Sequence, residues 1–323
     1  MRVFVTGPNG FIGSVVVKKL IDNGYDVCCL LRKTSDTKRI DSLKYDTVFG
    51  DVRDYDSLLD GMKNCGAVIH LASLSNWNDI NSPLMDDVVI KGSKNVFEAA
   101  KVSGNLKTIF VSTIAAINGT LSPKIQNEES DFELNLAKFA YSRAKCQVEK
   151  MGLKAHEEGL PVVIVNPAEV YGPHDTALNT AANLIDFANS SPVLTCNGGT
   201  SVVYVDDVAK GIVSCIKNGV LGQRYILGGD NLTVTELAKL TLKILGQENK
   251  KVIQLPNWIL QSAGKVAQTL RLPFPVNPLV IPYATKFWFM DNTKAKNELG
   301  ISFRSASDTL VPTIKWLQQE KLL

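Results

Sequence analysis

Residues 6–13 read TGPNGFIG, set between a β-rich run, Arg2–Thr6, and a stretch with helical spacing, Phe11–Ile21. That placement constrains the chain more than any other feature. A strand feeding a helix through three glycines uses Gly7 for the tight turn, Gly10 for close approach of a ligand, and Gly13 for helix–strand packing. The free N–H groups around Asn9, Phe11 and Ile12, with the positive helix end, then suit a pyrophosphate. The alternative is a glycine-rich turn with no ligand.

Downstream, short apolar runs alternate with amphipathic stretches. Strands are expected at Asp26–Leu31, Tyr45–Phe49, Ala67–Leu71, Thr108–Ser112 and Pro161–Asn166, and helices near 54–62, 83–103 and 137–158. This alternation predicts an α/β fold: a Rossmann-type doubly wound parallel sheet with both faces covered. After residue 167 Pro, Asn and Gly become frequent, with helices near 177–189, 206–217 and 233–246. We expect a dinucleotide-binding domain over 1–166 and a smaller C-terminal α/β substrate lobe over 167–323, with segments near 202–227 returning to the first domain. Between Trp258 and Leu270, residues Trp258, Ile259, Ala263, Val266, Ala267 and Leu270 share one helical face.

Several function classes fall away. With 35 Lys and Arg against 32 Asp and Glu, the net charge of +3 gives no general drive toward nucleic acid or anionic membrane. No apolar run approaches the roughly 18 residues of a membrane span, and the opening strand leaves no room for a signal peptide. The 6 Cys form no CxxC pair and the 3 His no HxxxH or HExxH spacing, so no metal site is expected and the thiols read as reduced and cytoplasmic.

The second strand ends Leu30-Leu31-Arg32-Lys33, where NAD sites place a carboxylate for the ribose hydroxyls. Arg32 instead suits a 2′-phosphate through its fork of donors, and Lys33, Lys38 and Arg39 add positive potential. NADPH/NADP+ is therefore expected over NADH, with Asp36 the one carboxylate able to argue otherwise. GDVRD places Asp51 and Val52 after the third strand, where adenine is read.

Tyr141 and Lys145, in YSRAK, share a helical face. An ammonium there favours tyrosinate and fits the phenol for proton exchange near neutral pH. Ser112 and Thr113 end the preceding strand with two hydroxyls.

These motifs, with HLAS (70–73), VSTIAAING (111–119), NPAEVYGP (166–173), VVYVDDVAKG (202–211) and YILGG (225–229), make the chain resemble an extended short-chain dehydrogenase/reductase along nearly its whole length. It most resembles the dihydroflavonol 4-reductase-like branch, which includes hopanoid-associated sugar epimerase homologues. The resemblance implies Tyr141 as general acid/base and Lys145 as its pKa-lowering, ribose-binding partner. It implies Thr113 in place of the usual catalytic Ser, with Ser112 beside it. Leu71, Ala72 and Ser73 would line the cofactor, and Pro167, Ala168, Glu169 and Val170 would face the nicotinamide. The family pattern also allows a register with Ile114, which has no hydroxyl, at the Thr113 position. Asn118 and His174 are the expected substrate contacts, with Asp175 beside the latter. Glu169 reads as an exposed loop carboxylate, and Asp206 or Asp207 as a helix cap. His70 reads as a packing residue.

Three functions compete on this scaffold: an NADPH-dependent ketone or aldehyde reductase, a sugar-nucleotide epimerase or dehydratase, and a cofactor-binding sensor. The Tyr–Lys pair opposes the last. No Lys or Arg lies between Lys154 and Lys210, and the position where sugar-nucleotide enzymes often grip diphosphate with Arg is Thr200. Arg224 is the cation left to fold in. Leu178, Leu184, Phe187 and the run 275–290 are apolar, so a small, partly apolar carbonyl substrate is expected, with a 3β-hydroxysteroid-type substrate as an alternative. The Phe287–Met290 run either roofs that pocket or fills the core. The chain is expected to be a monomer or homodimer.

Overall fold

The computed structural model describes residues 1–74, 82–270 and 279–323; of Ala267 and Leu270 only the backbone is described. Part of the apolar run at 275–290, residues 275–278, lies outside the described residues.

Six strands appear where the sequence places them: β1 (Arg2–Thr6), β2 (Asp26–Leu31), β3 (Asp46–Phe49), β4 (Ala67–His70), β5 (Lys107–Val111) and β6 (Val162–Pro167). Later strands are β7 (Glu169–Tyr171), β8 (Val193–Cys196), β9 (Gly199–Tyr204), β10 (Arg224–Leu227), β11 (Asp230–Thr233), β12 (Val252–Leu255) and β13 (Phe287–Trp288). The large sheet is wholly parallel, in the order β10-β6-β5-β4-β1-β2-β3. This is the expected doubly wound sheet. Its order reverses between β1 and β4, where such sheets bind ligands beyond the strand ends. Most of its inner strand residues are fully buried, as a sheet covered on both faces requires.

Helices α1 (Phe11–Asp22), α2 (Tyr55–Met62), α3 (Gly92–Val102) and α4 (Ala140–Glu157) follow successive strands. After them come α5 (Ala181–Asn189), α6 (Val205–Asn218), α7 (Val234–Ile244), α8 (Asn257–Leu270), α9 (Ile281–Ala284), α10 (Thr293–Leu299) and α11 (Ala306–Gln319). One core lies under α2–α4 around Phe4, Phe97 and Phe110; the opposite one lies under α1, α6 and α10 around Val5, Leu20 and Ile212. A third core, with Tyr171, Leu184, Phe187 and Leu310, forms among the elements after residue 167, which also carry a small sheet, β11-β9-β13 with β7 beside β9.

Two expectations change here, and one open alternative is decided. The helix expected over 83–103 starts as a wide π turn, Met85–Lys91, and becomes α-helical only from Gly92, where a Cβ would sit 2.6 Å from Val52 Cγ2. Asp206 and Asp207 do not occupy the α6 N-cap, which is Tyr204. They lie in its first turn, ion-paired with Lys19, Lys210 and Arg304, where carboxylates offset the helix dipole. The Phe287–Met290 run is mostly core: Trp288 stacks on Tyr283 at 6.0 Å and meets Phe139 edge-on.

Candidate active site

The glycine loop closes at the switch point. Gly7 has φ +69°, and a Cβ there would sit 2.8 Å from the Ala72 backbone nitrogen, so Leu71 and Ala72 lie directly on the loop. Gly10 is exposed, and a Cβ would meet only the Gly7 carbonyl oxygen, at 3.4 Å. Protein packing therefore does not demand glycine at position 10, and the space beside it is open to a ligand. Helix α1 has neither a side-chain N-cap bond nor an acidic residue in its first turn, so its positive end is left for an anion. Ser73 Oγ, at the end of the Leu71–Ser73 stretch, is buried and has no hydrogen-bond partner among the described residues. These features fit a bound dinucleotide.

At the adenosine side, Arg32 and Lys33 are exposed. The Arg32 backbone closes a turn with Ser35. The Asp36 carboxylate folds back onto its own turn, accepting from the Lys38 N–H. Arg39 is already engaged: it donates to the carbonyls of Asn9 and His174 and to Thr176 Oγ1. Asn9 donates to the Asp36 carbonyl at 3.0 Å. Asp51 is held by Arg53 through two bonds, at 2.8 and 2.9 Å, which keeps its carboxyl below the usual range. Val52 is core, and its carbonyl accepts from Asn95.

Helix α4 brings Tyr141 and Lys145 to the end of β5. Lys145 is 2 % exposed, donates to the Val111 carbonyl at 3.1 Å, and lies over the Phe110 ring. Burial without a touching carboxylate pushes its ammonium down to about 8. Burial holds the Tyr141 phenol above its ordinary value, with the Thr113 side chain opposing that shift. Thr113 is extended, with its Oγ1 also accepting from the Ala115 N–H.

Adjacent residues of an extended segment face opposite ways. Ser112 Oγ is accordingly buried without a hydrogen-bond partner among the described residues, while Thr113 Oγ1 lies on the other side, at the Ala115 N–H. Ile114 begins a 3₁₀ turn and packs in the core.

Glu149 was not singled out in the sequence, although it continues the Tyr141, Lys145, Glu149 stripe at four-residue spacing. It is 4 % exposed, accepts from Asn166 Nδ2 at 2.6 Å, and pairs with Arg224 at 3.4 Å. Arg224 also donates to the Glu128 and Ser130 carbonyls. Asn166 donates to the Thr113 carbonyl at 2.9 Å, linking this network to the strand end.

Other expected contacts move. Asn118 is buried and spends its amide on Gln126 and on Glu133. His174 is exposed with φ +71°, its ring against Trp316 of α11. Asp175 is buried and accepts from the N–H groups that open α5. Val170 packs in the core. Pro167 ends β6, and Ala168 donates to the Leu227 carbonyl. Glu169 is not an exposed loop carboxylate: it sits on β7, accepting from the Tyr171 hydroxyl at 2.6 Å and Asn183 at 3.0 Å. Burial pushes its carboxyl up, with the side chains of Tyr171, Thr200 and Asn183 opposing the shift.

His70 closes a relay. The Ala72 N–H meets Thr6 Oγ1, which lies 2.7 Å from His70 Nδ1; Nε2 lies 2.9 Å from Ser93 Oγ, which donates to the Val89 carbonyl. Burial pushes the imidazole down to about 3, so it stays neutral.

The model of the NAD dependent epimerase/dehydratase family matches residues 3–228, which hold the glycine loop, Tyr141 and Lys145. The chain belongs to that family. Within it, the chain fits the dihydroflavonol 4-reductase-like branch of the extended short-chain dehydrogenases/reductases. A candidate dihydroflavonol 4-reductase of Synechocystis sp. is 28% identical, over 98% of this chain and 94% of that one. Sterol demethylase protein B of Methylococcus capsulatus is 24% identical, over the full length of both. The crystal structure of gox2253 superposes with a TM-score of 0.84 at 27% identity, covering 100% of this chain and 99% of that one. The enzyme is thus an NAD(P)-dependent oxidoreductase. Among its described residues no group of three or more His, Cys, Asp or Glu is placed to hold a metal, and no helix is long and apolar enough to cross a membrane.

Proposed function

We propose that this family member is a cytoplasmic NADPH-dependent carbonyl reductase acting on a small, partly apolar ketone or aldehyde. The observation that carries this reading is the chemistry of the lobe. Thr200, where a sugar-nucleotide enzyme often grips diphosphate, faces the Glu169 carboxyl. Arg224, the cation able to fold in, is committed to Glu149 and to two carbonyls. Two phosphates brought to Thr200 would find no cation there and Arg224 already paired, and burying them unpaired is costly. The names of the relatives, a dihydroflavonol 4-reductase and a sterol demethylase component, support a substrate of apolar character.

In this reading Gly7, Gly10 and Gly13 cradle the pyrophosphate, Arg32 and Lys33 meet the 2′-phosphate, and Leu71–Ser73 with Pro167–Glu169 flank the nicotinamide. The bound cofactor supplies the hydride to the carbonyl carbon. Tyr141, neutral because burial raises its pKa, gives its proton to the carbonyl oxygen. Thr113 orients that oxygen and the phenol, and Lys145 steadies the tyrosinate left behind.

The test is a comparison of thermal shift and turnover with saturating NADPH. Apolar aldehydes and ketones are expected to be reduced, while UDP- and dTDP-sugars give no shift. A clear shift with a sugar nucleotide and no carbonyl reduction would reassign the enzyme as an epimerase or dehydratase.

Cofactor choice gives a second expected result. NADPH should bind at least about tenfold more tightly than NADH, equivalent to one charge-assisted contact of about 1.4 kcal/mol. Arg32→Ala should remove most of that preference and leave NADH affinity unchanged. Fluorescence titration of both cofactors measures it, and equal affinities in the unsubstituted enzyme would refute the assignment of Arg32.

A further inference from the structure

Helix α8 is amphipathic, but its apolar face points outward. Trp258, Val266 and Ile259 fall within about 100° of one another around the axis at α-helical spacing, and they are 69%, 54% and 36% exposed. The inner side is held by small and polar groups. Gly264 is buried, Asn257 donates to the Asn197 and Thr285 carbonyls and accepts from the Asn197 N–H, and Gln261 reaches Thr285 Oγ1. The amides bind the lobe, and the hydrophobic stripe is left to face something else.

Charge distinguishes among the occupants. From Asn249 to Met290 the sequence carries five Lys and Arg and no Asp or Glu; of these Lys265 lies on α8, while Lys250 and Lys286 donate to the Ala188 and Thr285 carbonyls. Lys265 is exposed and borders the stripe beside Trp258. A second copy meeting α8 about a two-fold axis would bring like charges together with no carboxylate on the helix to answer them. An anionic lipid headgroup layer answers them directly, and Trp beside Lys on a surface helix is the composition that rests at a bilayer interface. We propose that α8 is a reversible docking surface for anionic bilayers, seated through Trp258, Ile259 and Val266 with Lys265 at its edge.

The location gives docking a consequence. Thr285, which α8 grips, follows α9, and α9 carries Tyr283, whose ring meets Phe139 at 4.9 Å, edge to face. Phe139 is the residue that opens the Tyr141 helix. The docking surface is thus joined to the catalytic helix through aromatic contacts at Phe139. The surface argument is independent of which carbonyl compound the enzyme reduces.

The experiment is co-sedimentation of the full chain with phosphatidylcholine vesicles, with and without phosphatidylglycerol. Binding is expected only with the anionic lipid, and salt should weaken it as screening shortens the reach of the charges. Trp258→Ala combined with Val266→Ser should weaken binding roughly tenfold or more, and Lys265→Glu severalfold. All three side chains are exposed, so NADPH binding and melting temperature should remain those of the unsubstituted protein. The emission lost in Trp258→Phe should shift blue when anionic vesicles are added. Failure to sediment with anionic vesicles, or equal sedimentation of the variants, would overturn the proposal. So would a concentration-dependent dimer that Trp258→Ala dissolves, which would assign the stripe to a second copy.

Discussion

Tyr141→Phe is expected to lower turnover by roughly a hundredfold or more, the usual scale of a positioned general acid, with NADPH binding little changed. The substitution removes one oxygen. The ring stays packed in place, and Thr113 Oγ1 keeps its bond from the Ala115 N–H, so the folding cost should be about 1 kcal/mol. Stopped-flow reduction with a fluorescence titration of NADPH separates the two effects. Turnover at the unsubstituted rate would mean that the proton comes from another group.

The pH profile follows from the same pair. Burial raises the Tyr141 pKa, so the neutral, proton-donating form is present at and below neutral pH. Burial lowers Lys145 to about 8, so its ammonium is present at pH 7 and is lost as the pH rises through that value. Reduction should therefore be level on the acid side and decline above about pH 8. Oxidation, which needs the tyrosinate, should rise with pH. His70 adds no acid limb of its own at ordinary pH, since its pKa has been pushed to about 3.

The parts of this site that were readable in sequence are those built from neighbours along the chain. TGPNGFIG carries its turn, cradle and packing residues within eight positions, and Tyr141 and Lys145 are one helical turn apart. Strand existence was readable because buried parallel strands are continuous apolar runs. What escaped depends on partners far away in sequence. Glu149 meets Arg224 across 75 positions, a partner that local sequence does not give. Its position four residues after Lys145, on the same stripe, was the available signal. Asn118, expected as a substrate contact with the reductase-like register, is buried and bonded to Gln126 and Glu133, partners 8 and 15 positions away. Periodicity found the α8 stripe but gave no direction. The inner face was decided by bonds from Asn257 to Asn197, 60 positions earlier, and from Gln261 to Thr285, 24 positions later.

The glycine loop allows packing and ligand approach to be separated by two substitutions three residues apart. Gly13→Ala should damage the fold itself. Its Cβ would lie 2.0 Å from the Gly7 carbonyl oxygen and 3.0 Å from the Gly7 carbonyl carbon, both backbone atoms that cannot rotate away. Relief requires α1 to lift from the loop, against the contacts of Val16, Val17 and Leu20 in the core. A cost of about 3 kcal/mol is the scale of such overpacking, enough for a clear fall in melting temperature and loss of NADPH binding together. Gly10→Ala differs in kind. The added methyl meets only the Gly7 oxygen, at 3.4 Å, so melting of the free protein should be nearly unchanged. The same methyl would stand where a pyrophosphate must approach the backbone, and NADPH affinity should fall by about a hundredfold, close to 2.7 kcal/mol. Circular-dichroism melts of the free proteins and NADPH titrations of both variants provide the comparison. A Gly10→Ala protein that binds NADPH normally would show that the loop does not hold the phosphates, whatever the melts report.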